Sequence, residues 1–557
     1  MSGREDPGRH HGDTPQRPNF MMHCVSSEAV VPGGADAGED PGSLEYAKSQ
    51  EHLLRQSDHN PLPTEVPPPI AALGGNHGDM HVVVLIGLPE VGKPFLAKRM
   101  RQYLRFFHGA DCRLFDICEH LTPESEGVAK DVDDNAEVLT QTITRWILKR
   151  EAREISSGDV MQSERIVVGS GVPPAVAADG DHADESFRSQ NRGQKVVDSG
   201  RCAIVYGSDT FRAFKEKWSG SSKERRRWIL ESVRRMSRQV KLIFIEVKVT
   251  DPALMRKNIA LKRSAHGHPQ TSSEEFRQVE ASIRDFSRMY VTIQDDGSED
   301  DMSYVIFINY GQKVVTNRMH GFLRMRIAQF LSTIHTEPHT IYITRHGQSE
   351  YNRLGKIGGN SGLTEYGAEY AERLAQFAEQ VICMEDGERV NKARLWTSSL
   401  RRTNETAEKI KHPTVEFEDG EWMQMSHRVY RNLDEIFAGE YEGLTYEEVA
   451  ERHQDEAFLR KVDKIGYRYP RGESYFDIIS RLDPLVHELE SYREPTLIVS
   501  HQAVLRILYA YLMGYDRMHA PRIEIPLHTV IKLSYNGWSR CVEERVHLGP
   551  EVPKTIQ

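Results

Sequence analysis

Residues 340–352 read TIYITRHGQSEYN. Ile341-Tyr342-Ile343 is an apolar strand end, and a polar loop with Arg345, His346 and Gly347 follows at once. Ligands of open α/β sheets bind outside the carboxyl ends of the strands, so this histidine is expected at the mouth of a sheet. Three further stretches fit the same frame. Residues 394–403 (RLWTSSLRRT) are a short strand, Arg394–Thr397, and a polar loop. Residues 433–444 (LDEIFAGEYEGL) hold Asp434 and Glu435 ahead of Gly439 and Gly443. Residues 496–502 (TLIVSHQ) end a strand and open a helix at His501 and Gln502. Helical spacing between them, at Leu363–Val381, Arg402–Ile410, Thr445–Arg452 and Tyr475–Tyr492, predicts an α/β domain over 338–547.

These pieces bring two histidines, two arginines and a glutamate together, and their chemistry is coherent. A neutral imidazole can attack phosphorus and carry the phosphoryl group covalently. Arginine forks match phosphoryl oxygens and balance their charge. A carboxylic acid beside the leaving oxygen protonates it, then activates water. No metal is required. His346 alone is one histidine among 24, and Glu435 alone is an ordinary solvated charge. The order RHG, TSSLRR, SHQ gives them meaning.

Upstream, order begins at His81 with HVVVLIG, the continuous apolar run of a strand buried on both faces. The frame Gly87-Leu-Pro-Glu-Val-Gly92-Lys93-Pro94 follows, and a helix is expected from about Phe95, with Leu96, Met100, Tyr103, Leu104 and Phe107 on one face. A glycine-rich loop between strand and helix cradles phosphate with backbone N–H groups, and Lys93 reaches the outer phosphates. Pro94 stands where Ser or Thr would hold Mg²⁺; proline fits a helix's first turn but supplies neither hydroxyl nor N–H. A helix at Asn135–Glu154, a strand at Cys202–Tyr206, a basic helix at Lys223–Arg238, a strand at Lys241–Val249 and a helix at Met319–Ile334 continue the alternation. That predicts a parallel α/β domain over 78–337. Residues 1–77 and the insertion at 156–200 read as disordered, and 548–557 as a tail.

Composition excludes other classes. Lys and Arg number 72 against 82 Asp and Glu, a net charge of −10, which leaves no basic footprint for nucleic acid. No apolar run approaches a membrane span, and no signal segment opens the chain. Six scattered cysteines suit a reducing, cytoplasmic setting and offer no metal spacing. The basic helix Ser221–Gln239 is read as solvated with Trp228, Leu230 and Val233 buried, and Asp295–Asp301 as a solvated acidic turn.

The chain resembles the histidine phosphatase (phosphoglycerate mutase-like) superfamily, and more closely the bifunctional 6-phosphofructo-2-kinase/fructose-2,6-bisphosphatase family. VVVLIGLPxxGK, FIEVKVTDP (244–252), INYGQKVVTNR (308–318), IHTEP and YRYPRGESY (467–475) carry the likeness, which runs from about 80 to 545. It implies a P-loop kinase-like parallel-sheet domain followed by a histidine phosphatase α/β domain. It further implies His346 as phosphoryl acceptor, Glu435 as acid/base, and Arg345, Arg402 and His501 around the reacting phosphate. Asn352 joins that pocket, while Tyr446, Arg460, Lys464, Arg468, Tyr475, Gln502 and Arg506 hold the sugar and its second phosphate. Gly87, Gly92 and Lys93 are the nucleotide-binding positions.

The first domain departs from the family pattern. Besides Pro94, Gly207 stands at the strand end where an acidic residue is expected, with Asp209 two residues on. The Ser-Pro-Asp-Tyr segment is replaced around Ser264–Gly267, and an arginine pair is not recognisable near Asp116–Leu121. The expectation is a cytoplasmic fructose-2,6-bisphosphatase acting on a small sugar bisphosphate without a cofactor, beside a kinase-like domain whose use of ATP and Mg²⁺ these departures oppose. An active bifunctional enzyme, a regulatory pseudoenzyme scaffold and a related phosphatase or mutase with another substrate stay open, as does a homodimer.

Overall fold

The computed structural model describes residues 79–120, 132–148, 200–265, 273–294, 296–385, 387, 389–535 and 541–550. The tail at 1–77, nearly all of the insertion at 156–200 and residues 551–557 lie outside the described residues.

The first sheet has the order β2-β3-β1-β4-β5-β6. Its centre is β1 (Met80–Ile86), paired parallel with β3 (Arg201–Tyr206) and β4 (Val240–Lys248). Six of the seven β1 residues are buried, as a strand covered on both faces requires. β2 (Asp111–Asp116) pairs with β3, and β5 (Tyr304–Ile308) pairs with β4. β6 (Lys313–Asn317) closes the edge antiparallel to β5. Neither β2 nor the β5–β6 hairpin is anticipated by the sequence pattern. The helix after the phosphate loop, α1 (Lys93–His108), starts at once behind Gly92, whose φ of 85° lets the chain turn. The helix expected at Asn135–Glu154 is α2 (Val132–Ile147), and that expected from Met319 begins only at Phe322, behind Gly321.

Two surface expectations need correction together. The basic helix is α3 (Lys223–Met236), yet its Arg226 is fully buried. Its partner is Glu299 of the acidic turn, also buried, with Nε to Oε1 at 2.7 Å and Nη2 to Oε2 at 2.8 Å. Arg226 further donates to the carbonyls of Gly220 and Val291. A buried pair adds little over apolar packing, but removing one partner strands the other charge. Arg226→Ala is therefore expected to cost the first lobe about 3–5 kcal/mol, read as a lower denaturant midpoint, whereas alanine at exposed Arg234 moves it little.

The second sheet has the order β9-β8-β10-β7-β11-β12, in this lobe's strands β7 (His339–Arg345), β8 (Arg394–Thr397), β9 (Ser426–Val429), β10 (Thr496–Ser500), β11 (Thr529–Tyr535) and β12 (Val542–His547). β9, β8, β10 and β7 run parallel, and β11 and β12 are antiparallel. The sheet is thus mixed, with the expected strands in its parallel part. The first lobe also holds α4 (Pro252–Ala265), α5 (Ser273–Met289) and α6 (Phe322–Thr333). The helices that frame the carboxyl ends of the second sheet are α7 (Glu365–Phe377), α8 (Arg401–Ala407), α9 (Tyr446–Arg452), α10 (Gln454–Val462), α11 (Tyr475–Ser491) and α12 (Gln502–Met513).

One apolar core runs through both lobes. At their seam, Tyr103 of α1 donates to Asp483 of α11 at 3.0 Å and meets His487 at 2.9 Å, while its ring stacks on Phe330 at 4.6 Å. Arg99 pairs with Glu490 beside it. The helix that opens at the phosphate loop thus packs against the helices that open at the second lobe's site.

Candidate active site

β7 and β10 end side by side, and the N–H of His346 donates to the Ser500 carbonyl at 3.0 Å. This tie draws the two histidine loops together. Gly347 is required by contact: a Cβ there would lie 2.5 Å from the Gly367 carbonyl oxygen at the start of α7. Its N–H is taken by Thr406 of α8 at 2.9 Å.

The His346 ring is 3% exposed. Its Nδ1 lies 2.7 Å from the Gly347 carbonyl, which can only accept, so Nδ1 carries the proton of the neutral ring. Nε2 then keeps its lone pair, and it accepts from Nε of Arg402 at 3.0 Å. Burial, reinforced by the Arg402 and Arg345 charges, holds the pKa well below the usual histidine value. The imidazole is therefore neutral at physiological pH, with its nucleophilic nitrogen aimed at a guanidinium.

His501 lies with its ring centroid 5.1 Å from that of His346. Its Nε2 meets Ser398 Oγ at 2.7 Å, and Nδ1 is buried without a hydrogen-bond partner. Burial first, then Arg402 and His346, keep this ring neutral as well. Arg402 is itself buried and donates Nη1 to the Gly359 carbonyl at 2.7 Å. Arg345 donates Nη1 to Ile525 at 3.1 Å, while its Nε is buried and unpartnered. Burial pushes the Arg345 pKa down to about 10, with Glu435 opposing. Two buried guanidiniums beside two neutral imidazoles make a site that an anion would complete.

Glu435 stands across from them. Its Oε1 accepts from Ile436 N at 2.9 Å and from Ala503 N, in the first turn of α12, at 3.1 Å. Its loop is pinned by Asp434, which accepts from Ser399 N and Oγ, each at 2.7 Å. Arg402 and Glu435 line a cleft of about 470 Å³, with Gly358, Gly359, Arg431 and Phe437 among its other walls.

A second cationic group adjoins this centre. Arg506 donates to the Tyr475 hydroxyl at 3.3 Å and to the Ile523 carbonyl at 2.6 Å. Arg460 lies 4.4 Å over the Tyr446 ring and donates to the hydroxyls of Tyr446 and Tyr469. Lys464 is pulled down to about 8 by burial and by the neighbouring charges of Arg506 and Arg460. Arg468 differs: its Nη2 is bound to Asp477 at 2.6 Å and Nη1 to the Gly472 carbonyl, so it braces the cap of α11. Asn352 likewise uses Oδ1 on Ser349, in the cap of the short helix Glu350–Arg353. Gln502 opens α12 next to His501.

In the first lobe, Gly87 has φ +134° and a Cβ would sit 2.4 Å from the Val247 carbonyl, so the loop needs glycine there. Lys93 is buried, turns its Nζ onto the carbonyls of Gly87 and Leu88, and is brought down to about 7 by burial. Glu90 of the same loop is paired through both carboxylate oxygens with Lys262 at 2.8 Å, and Thr210 donates to it at 2.9 Å. Asp209, a candidate to replace the missing acid, instead caps the one-turn helix Thr210–Phe214. At Gly207, a Cβ would lie 2.2 Å from that of Ala213. No hydroxyl follows Lys93, and a paired carboxylate stands in the loop.

Ser398, Thr406, Glu90 and Lys262 escape the sequence reading. Ser398 lies in the TSSLRR stretch, but nothing local marks which of its serines meets His501. No cluster of His, Cys, Asp or Glu among the described residues could hold a metal, and no helix among them is long and apolar enough to cross a membrane.

The family model described as histidine phosphatase superfamily (branch 1) matches residues 341–545, and that described as 6-phosphofructo-2-kinase matches residues 219–338. The 6-phosphofructo-2-kinase/fructose-2,6-bisphosphatase 3 of Rattus norvegicus is 30% identical over 477 residues, covering 85% of this chain and 73% of that protein. The 6-phosphofructo-2-kinase/fructose-2,6-bisphosphatase of Caenorhabditis elegans is 30% identical over 457 residues, or 82% of this chain and 86% of that protein. The Arabidopsis thaliana protein of the same description is 34% identical over 486 residues, or 85% of this chain and 55% of its own length.

Proposed function

The chain belongs to the 6-phosphofructo-2-kinase/fructose-2,6-bisphosphatase family, and we propose that its second lobe hydrolyses fructose 2,6-bisphosphate to fructose 6-phosphate and phosphate while its first lobe carries no kinase activity. The observation that carries the reading is the His346 ring, fixed with Nε2 unprotonated against Arg402 in a buried site.

The substrate's 2-phosphoryl group takes the place of Nε2 as a partner of Arg402. Nε2 attacks phosphorus, the P–O bond to the sugar breaks, and the phosphoryl group moves to His346. Glu435 gives its proton to the departing sugar oxygen. Its Oε1 is held by backbone N–H groups, which leaves Oε2 to carry the proton. Glu435, now a carboxylate, takes a proton from water as that water attacks the phosphohistidine; the P–N bond breaks and phosphate leaves. Arg345, Arg402 and His501 hold the phosphoryl oxygens through both steps. Arg460, Lys464 and Arg506 take the 6-phosphate, with Tyr446, Tyr475 and Gln502 on the sugar; Arg468 serves through the α11 cap, and Asn352 serves the reacting-phosphate loop through the cap of the Glu350–Arg353 helix.

The inactive first lobe is supported by Pro94 and by the Glu90–Lys262 pair in the phosphate loop. Purified protein is expected to release phosphate from fructose 2,6-bisphosphate without added metal. With ATP, Mg²⁺ and fructose 6-phosphate it is expected to form no fructose 2,6-bisphosphate above a Lys93→Ala control. To keep hydrolysis from hiding synthesis, both arms of the kinase assay carry His346→Ala. Clear synthesis above that control defeats the inactive-kinase half and leaves the phosphatase half standing.

A further inference from the structure

Arg481 projects from the second turn of α11 into the wall of the cleft, and all three of its guanidinium nitrogens donate hydrogen bonds. Nε and Nη2 donate to the two oxygens of Glu473, at 3.0 and 3.2 Å. Nη1 donates to the Asn432 carbonyl. Nη2 also donates to the Asp434 carbonyl at 2.6 Å and reaches that of Glu435 at 3.4 Å. Glu473 in turn accepts from the N–H of Phe437 at 3.0 Å. One ion pair therefore grips the backbone on both sides of Glu435, at 432, 434, 435 and 437. The side chains of the pair are about one-fifth exposed, 19% and 24%, enough to keep their attraction from being fully screened.

The loop that bears Glu435 has few bonds of its own beyond those of Asp434 to Ser399. No helix or strand holds residues 434–438, and the side chain of Glu435 has only two backbone N–H bonds of its own. The Asp434 side chain is held by Ser399 and the Glu435 side chain by Ala503 of α12, while Arg481 ties the backbone of the loop to α11.

We propose that Arg481, locked by Glu473, is the positioning residue that sets where the Glu435 carboxyl stands relative to the leaving oxygen and the attacking water. It does not touch the phosphoryl group. The inference rests on the reading of Glu435 as acid and base, and adds the residue through which that role is set. A displacement of about 1 Å in a catalytic group can cost on the order of 100-fold in rate.

The test is a double-mutant cycle on hydrolysis of fructose 2,6-bisphosphate by the full chain, with Arg481→Ala, Glu435→Gln and the pair together. Arg481→Ala is expected to lower kcat by about 10- to 100-fold with KM changed less than about threefold. In the Glu435→Gln background the same change is expected to cost less than about threefold more, because the group it positions is already disabled. Arg481→Lys keeps the charge but cannot span five acceptor oxygens, so it is expected to recover only part of the rate. It also serves if the alanine variant fails to fold. The proposal is overturned if Arg481→Ala leaves kcat unchanged, or if its full penalty recurs in the Glu435→Gln background, which is the mark of a general structural role. Full activity of Glu435→Gln alone would instead bring down the acid/base assignment, and the two failures are told apart by that single variant.

Discussion

His346→Ala is expected to lower kcat for phosphate release from fructose 2,6-bisphosphate by more than about 10⁴-fold, the scale on which loss of a covalent nucleophile is felt. No neighbour can replace it. His501 is near, but its Nε2 is directed at Ser398, and its ring stands one centroid spacing of 5.1 Å away. A buried site also keeps water from substituting freely, since His346 is 3% exposed. Fold and substrate binding are expected to survive, because among the described residues the ring's only backbone bond is to its own neighbour Gly347. The pH dependence has a defined sign. Burial and two arginines lower the pKa of His346, so the ring gains a proton only well below the ordinary 6.5. The kcat/KM of the wild type is therefore expected to persist as pH falls through 6.5, where an exposed histidine nucleophile would already be losing activity. A break near 6.5 caused by His346 would contradict the lowered pKa, and substantial turnover by the alanine variant would remove this histidine from the chemistry.

Glu435→Gln is the second large effect, about 10²- to 10⁴-fold in kcat. The amide keeps an oxygen to accept from Ile436 N and Ala503 N, so the loop has its bonds, but it can neither give nor take a proton. KM is expected to stay within a few-fold, because the group acts on the breaking bond and not on the bound sugar. Parallel loss in kcat and kcat/KM marks the predicted behaviour; a change confined to KM would mark a binding residue.

The central histidine was legible from the chain because three things coincide locally: an apolar strand, its abrupt end and a polar loop. β7, β8 and β10 are such strands, and parallel pairing puts their ends at one edge. The same local logic found α1 and α11, whose apolar residues recur at helical spacing. It could not find partners brought together by the fold. Arg226 reads as one charge in a basic helix, and only its meeting with Glu299, 73 residues away, makes burial affordable. Arg468 reads as a phosphate ligand, and only the turn into α11 sets it on Asp477. Glu90 and Lys262 are separated by 172 residues, so a carboxylate in a phosphate loop looks like a neutral exchange until both are placed. β11 and β12 were missed for another reason. At the antiparallel edge β12 is largely exposed and carries three charged residues in a row, Glu543 to Arg545, between two valines, a weaker signature than a buried parallel strand.

The most direct test is to mix enzyme with fructose 2,6-bisphosphate labelled in its 2-phosphate, quench with base at times shorter than one turnover, and locate the label by peptide mapping. The predicted result is a base-stable, acid-labile label on His346 that forms and decays at rates consistent with kcat and is absent from His346→Ala. Steady turnover with no trapped label at any time, or a label on another residue, would contradict phosphoryl transfer to this imidazole.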